Sequence, residues 1–81
     1  MASRLLIIED EKNARLALEK ALAKEGYEIF LAEDGVQGLE LFRKHAPDFI
    51  LCDIVMPGKD GMEVLKEVMR EKPGTPFVIM T

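Results

Sequence analysis

The stretch Leu51-Cys-Asp-Ile-Val-Met-Pro-Gly-Lys-Asp-Gly61 decides how the chain is read. An apolar run, Phe49-Ile50-Leu51-Cys52, delivers a single carboxylate, Asp53, and the chain then breaks at Pro57, Gly58 and Gly61. A carboxylate at the end of a buried strand is costly unless something there uses its charge. Working outward, similar apolar runs recur at Leu5-Leu6-Ile7-Ile8, Ile29-Phe30-Leu31 and Phe77-Val78-Ile79-Met80. Most of them are continuous rather than alternating, which suits strands covered on both faces of a parallel sheet.

Segments with helical spacing lie between the runs. Ala14, Leu18, Ala21 and Leu22 form one stripe, Val36, Leu39 and Phe42 a second, and Met62, Leu65 and Met69 a third. Gly26 follows the first helix and Pro47 the second, where Lys44 and His45 also suit a helix C-terminus. Pro73-Gly74-Thr75-Pro76 closes the third. The order is β-α-β-α-β-α-β, which implies a parallel sheet with right-handed crossovers and helices on its faces. The chain stops at Thr81, at a strand end where a further loop and helix are expected.

Composition narrows the function classes. The 81 residues are 48% hydrophobic and 32% charged, which reads as one soluble domain or part of one. No apolar run approaches the roughly 20 residues that span a bilayer, and the start, Met1-Ala-Ser-Arg-Leu, lacks the pattern of a signal peptide. Cys52 is the only cysteine, so an internal disulfide and a cysteine zinc cluster are excluded and a cytoplasmic setting is expected. The net charge of −4 without a basic stripe argues against direct nucleic-acid binding.

In open α/β sheets, ligands gather outside the carboxyl ends of the strands. Those ends carry Glu9-Asp10-Glu11 after the first strand, Asp53 after the third and Thr81 at the fourth. If the first and third strands are neighbours, about 4.8 Å apart, Asp10 and Asp53 converge. Carboxylates packed together repel, and burial raises their pKa values. A hard cation such as Mg²⁺, which binds through one or two carboxylates plus waters, removes the conflict. A carboxylate held there is also a candidate nucleophile toward a phosphoryl donor, giving an aspartyl phosphate. A hydroxyl on the adjoining strand end, Thr81, could then respond to the phosphoryl group.

Taken together, Glu9-Asp10, Asp53 with Met56-Pro57-Gly58 and Asp60-Gly61, and Thr81 closely resemble the receiver domain of bacterial two-component response regulators. The resemblance covers residues 1–81 and only the first two-thirds of a complete receiver. It implies a flavodoxin-like (CheY-like), three-layer, doubly wound parallel sheet with order 2-1-3-4-5, incomplete here for want of the last helix, strand and helix. That order is the one known for the family's chemotaxis member, and it comes with the resemblance and not from these residues. The resemblance further implies Asp53 as phosphoacceptor, Asp10 as a direct Mg²⁺ ligand, Glu9 as a ligand through water, the Val55 carbonyl as a ligand and Thr81 as the switch hydroxyl. A histidine kinase would supply the phosphoryl group, and the wording after Asp53 looks most like receivers that control transcriptional output domains. With the last third absent, the fragment is expected to be impaired or inactive.

Plainer readings apply to the other residues. Glu11 reads as a solvated loop charge, Asp60 as support for the turn before the third helix, and His45 as a cation at a helix end. Cys52 reads as a small buried apolar residue. Gly35 and Gly38 do not form a dinucleotide fingerprint. Two competing functions stand beside the receiver. One is a Mg²⁺-dependent phosphohydrolase with Asp53 as nucleophile, although Ile54 and Val55 follow where that class resembles Asp-x-Asp. The other is a shortened half-fold whose role is assembly. The fourth strand, lacking a partner on its outer side, is expected to form a homodimer or higher oligomer.

Overall fold

The computed structural model describes residues 2–53 and 60–80. Four strands and three helices alternate: β1 (Arg4–Ile8), α1 (Lys12–Ala23), β2 (Glu28–Ala32), α2 (Gly35–His45), β3 (Phe49–Asp53), α3 (Gly61–Glu71) and β4 (Phe77–Met80). All pairings are parallel, and the sheet order is β2-β1-β3-β4. This is the flavodoxin-like arrangement expected from the sequence, without the last helix, strand and helix. The layers follow from the order. The step from β1 to β2 goes one way and every later step goes the other, so right-handed crossovers put α1 on one face and α2 with α3 on the opposite face.

The pleat sorts the core accordingly. Leu6 and Ile8 of β1, Ile50 and Cys52 of β3, and Ala32 of β2 pack with Leu39 and Phe42 of α2 and with Val64 and Val68 of α3. Leu5 and Ile7 point the other way and are also buried, so β1 is covered on both faces as its unbroken apolar run requires. The accessible surface is 4866 Å². A compact monomer of 9.1 kDa should expose about 4,900 Å², so these residues close on themselves as tightly as a complete small domain.

Three expectations about the helices need correction. Of the α1 stripe expected to be core, Ala14, Leu18 and Leu22 are half-buried, whereas Ala21 is exposed and no α1 residue is fully buried. Val36 is expected on the core stripe of α2 and is 55% exposed, because Gly35, Gly38, Leu39 and Phe42 face the sheet instead. Met62 is expected on the core stripe of α3 and is also exposed, because Gly61, Val64 and Val68 form its inner edge. Leu65 and Met69 are half-buried beside it.

Caps set the helix starts. The Asp34 carboxylate accepts from the Gln37 N–H at 2.8 Å, and the Asp60 carboxylate accepts from the Glu63 N–H at 3.0 Å. Glu11, which reads from sequence as a solvated charge, caps α1 by accepting from the N–H groups of Asn13 at 3.1 Å and Ala14 at 2.6 Å. At the far end of α2, Ala46 closes the helix in a left-handed conformation (φ 46°) and its N–H donates to the Phe42 carbonyl. Two shallow cavities of about 240 and 210 Å³ lie near this end of the molecule, where Lys72 lines both. Arg43 bridges α2 to α3 there, through Glu71 at 2.6 Å and Glu67 at 3.4 Å.

Candidate functional site

The opposite end of the sheet gathers negative charge. The ladder between β1 and β2 finishes with the Glu9 N–H donating to the Ala32 carbonyl at 3.0 Å. The chain then leaves the sheet at Asp10 and turns into α1. On the neighbouring strand Asp53 is the last residue of β3, one step beyond the Ile8–Cys52 pair. Parallel pairing of β1 with β3 therefore brings Glu9, Asp10 and Asp53 together. Carboxylate oxygens, one from each, lie within 4.8 Å of one another. Asp10 is exposed, whereas Glu9 and Asp53 are half-buried.

Hydrogen bonds hold the acidic loop in shape. The Glu11 N–H donates to Glu9 Oε2 at 3.2 Å. Arg15, from the first turn of α1, donates from Nη1 to the Glu9 carbonyl at 3.0 Å and to the Asp10 carbonyl at 3.4 Å. The Glu9 carboxyl is raised above its ordinary pKa of 4.5, chiefly by loss of water. The Glu11 N–H pulls it down, while hydrogen bonding with Asp10 and Asp53 and the charge of Asp53 push it up. Cys52 lies beside the cluster but faces the core. Burial first, and then the charges of Asp53, Glu9 and Asp60, push its thiol up to about 12. It stays protonated at neutral pH and is no nucleophile.

Glu9, Asp10 and Asp53 are thus brought together, whereas Val55 and Thr81 lie outside the described residues. His45 sits at the other end of the molecule, stacked on Phe30 with ring centroids 4.1 Å apart. The donor set suits a hard divalent cation, since it offers only oxygen ligands and carries excess negative charge. The cavities near Lys72 collect no comparable charge. The acidic crevice, although shallow, is the better candidate because convergence of titratable groups, not volume, marks chemistry here. Reading by residue type missed Arg15, whose contacts are to backbone carbonyls and leave no trace in the spacing of acidic residues.

Solved structures share this fold. The chemotaxis protein CheY4 of Vibrio cholerae is 28% identical with a TM-score of 0.93, over 98% of this chain and 68% of its own. The N-terminal domain of a protein from Wolinella succinogenes is 34% identical with a TM-score of 0.92, over 98% of this chain and 64% of its own. A two component transcriptional regulator AraC from Clostridium phytofermentans is 29% identical with a TM-score of 0.88, over 98% of this chain and 66% of its own. The chain therefore spans about two thirds of the length of these structures. The sequence model of the response regulator receiver domain matches residues 5–81. With that match covering nearly every residue from β1 onward, the chain belongs to the response regulator receiver domain family.

Proposed function

We propose that the chain is the phosphoacceptor part of a two-component signalling pair, with Asp53 as the acceptor. The observation that carries this reading is the convergence of Glu9, Asp10 and Asp53 at the carboxyl ends of two neighbouring strands. A carboxylate oxygen of Asp53 attacks the phosphorus of a phosphohistidine on a histidine kinase. The P–N bond breaks, a P–O bond forms, and the imidazole leaves with the electron pair. Asp10 and Asp53 would hold Mg²⁺ directly, Glu9 through water, and the Val55 carbonyl would complete the protein ligands. Bound Mg²⁺ supplies positive charge that offsets the phosphoryl oxygens and the clustered carboxylates. A histidine kinase as phosphoryl source supports a cytoplasmic setting for the chain. Its likeness to a two component transcriptional regulator supports a transcriptional output, with Thr81 as the switch hydroxyl.

Incubation with acetyl phosphate and Mg²⁺ followed by intact mass tests the reading. A lasting phospho-adduct, even one formed slowly, supports the reading. Steady release of phosphate without an adduct indicates a phosphohydrolase instead, and no reaction at all leaves the assembly role.

The pH dependence of stability probes the cluster without metal. Glu9 holds a proton more tightly when folded than when unfolded, so its contribution is present at low pH and is lost as pH rises through its raised value. Comparison with Glu9→Gln isolates that contribution. Relative to the variant, the wild-type chain should lose stability as metal-free buffer is raised from about pH 4 toward neutrality. Chemical denaturation at a series of pH values measures it, and a constant difference or one of opposite sign contradicts the account.

The same chain is proposed to pair with a second copy. Among the described residues, α1 lies over β1 and β2 and no helix packs on the same face of β3 and β4 to a like extent. There Leu51 and Met80 are half-buried and Val78 is 52% exposed, beside the outer backbone edge of β4. A two-fold pairing of β4 strands would satisfy that edge and cover these side chains. Light scattering at several micromolar concentrations should give a dimer, and Val78→Lys should shift it toward monomer. A well-folded wild-type monomer throughout that range refutes the pairing.

A further inference from the structure

Like charges held as closely as Glu9, Asp10 and Asp53 push apart when no cation lies between them. The members differ in how firmly they are held. Asp53 belongs to a strand paired on both sides, with β1 and with β4. Glu9 donates its N–H to the last rung of the sheet, and Asp10 lies beyond that rung in the turn before α1. Repulsion would therefore be relieved by movement of the turn. Arg15 is placed to resist it. Its guanidinium donates to the carbonyls of both acidic residues, at 3.0 and 3.4 Å, from a helix whose start is fixed by the Glu11 cap. Among the described residues it makes no ion pair with Glu9 or Asp10. It grips the backbone and leaves the carboxylate oxygens available.

We propose that Arg15 is a positioning residue, clamping the Glu9 and Asp10 backbone so that their side chains stay aimed at Asp53. The metal-binding consequence rests on the reading of this cluster as a Mg²⁺ site, but the clamp itself does not. Nη1 alone reaches both carbonyls, held out at the end of a rigid planar group, and an ammonium on a shorter, flexible stem meets that need only in part.

Two measurements on the whole chain test the proposal, using Arg15→Gln and Arg15→Lys. In a Mg²⁺ titration followed by amide shifts, Arg15→Gln should bind about tenfold more weakly, as when a group orienting metal ligands is removed. Arg15→Lys should recover part of the loss. Charge alone predicts the reverse, since deleting a nearby cation should tighten a divalent cation site. Equal or tighter binding by Arg15→Gln therefore overturns the proposal. Should the wild-type chain itself show no Mg²⁺ binding, the metal reading fails and hydrogen exchange decides the clamp. In metal-free buffer the Glu11, Asn13 and Ala14 amides should exchange several-fold faster in Arg15→Gln, with core amides of β1 and β3 unchanged. Unchanged exchange at the turn overturns the clamp. Uniformly faster exchange across the sheet also overturns it, by showing a general loss of stability.

Discussion

Asp53→Asn is expected to take up no phosphoryl group from acetyl phosphate and Mg²⁺, while melting at the same temperature as the wild-type chain or slightly higher in metal-free buffer. The first outcome follows from the nucleophile. An amide oxygen carries no full negative charge and does not form the acyl phosphate. The second follows from the neighbours. Asp53 lies within 4.8 Å of both Glu9 and Asp10, and a like-charge pair at that distance in a water-like dielectric costs about 1 kcal/mol. Asparagine is nearly the same size and keeps a carbonyl acceptor at the strand end, so packing changes little. Adding Mg²⁺ should reverse the order of stability, because only the wild-type site gains by binding it. Intact mass and paired melting curves, with and without metal, read all three outcomes. Labelling retained in the variant, or a clear loss of stability without metal, contradicts the assignment of Asp53.

The second large effect lies in the packing beneath the site. Gly38 faces β1 so closely that a Cβ placed there would lie 2.5 Å from Ile8 Cδ1 and 2.9 Å from Ile8 Cγ1. Ile8 is fully buried in the core cluster, so any shift of its side chain must be made against packed neighbours. Two effects of Gly38→Ala compete. Helix propensity favours alanine by about 1 kcal/mol, whereas overpacking costs roughly 1–3 kcal/mol. With two contacts under 3 Å, overpacking wins. A net loss of up to about 2 kcal/mol is expected, which lowers the melting temperature by up to roughly 16 °C in a domain of this size. Ile8→Val removes Cδ1 and should restore part of the loss in the double variant. A Gly38→Ala chain as stable as wild type, or a double variant less stable than the sum of its parts, shows that the approach of α2 to β1 is looser than described.

Much of this was legible in the sequence, and the limits have physical causes. The strands could be read because central parallel strands are covered on both faces, leaving unbroken runs such as Leu5 to Ile8. The acidic residues could be read because strand ends are marked by where those runs stop. The phase of the helices was harder. On α3 the stripe of Met62, Leu65 and Met69 lies beside the inner pair Val64 and Val68, and apolar spacing alone does not choose between adjacent stripes. On α2 the choice was made by Gly35 and Gly38, which let the helix approach along an edge with no side chain and turn Val36 outward. The α1 stripe gave a sound periodicity but only partial burial, because burial depends on what lies opposite. Glu11 and Arg15 escaped for another reason. Both act on backbone groups, as cap and as clamp, and a sequence shows side chains but not which amides and carbonyls need partners.

The pairing of β1 with β3 has a consequence for how the chain folds. β1, α1 and β2 follow one another directly, whereas β3 reaches β1 only after β2 and α2 have been laid down. Glu9 and Asp10 meet Asp53 in that later, longer-range step. Loop-closure entropy already makes such a step the slow one in parallel sheets. Here the carboxylates add a barrier of their own, since the strands must bring like charges together as they zip toward their ends. The demands of chemistry thus sit as local frustration at the central strand pair. They weigh on the rate at which the sheet closes and leave the β1-α1-β2 unit untouched.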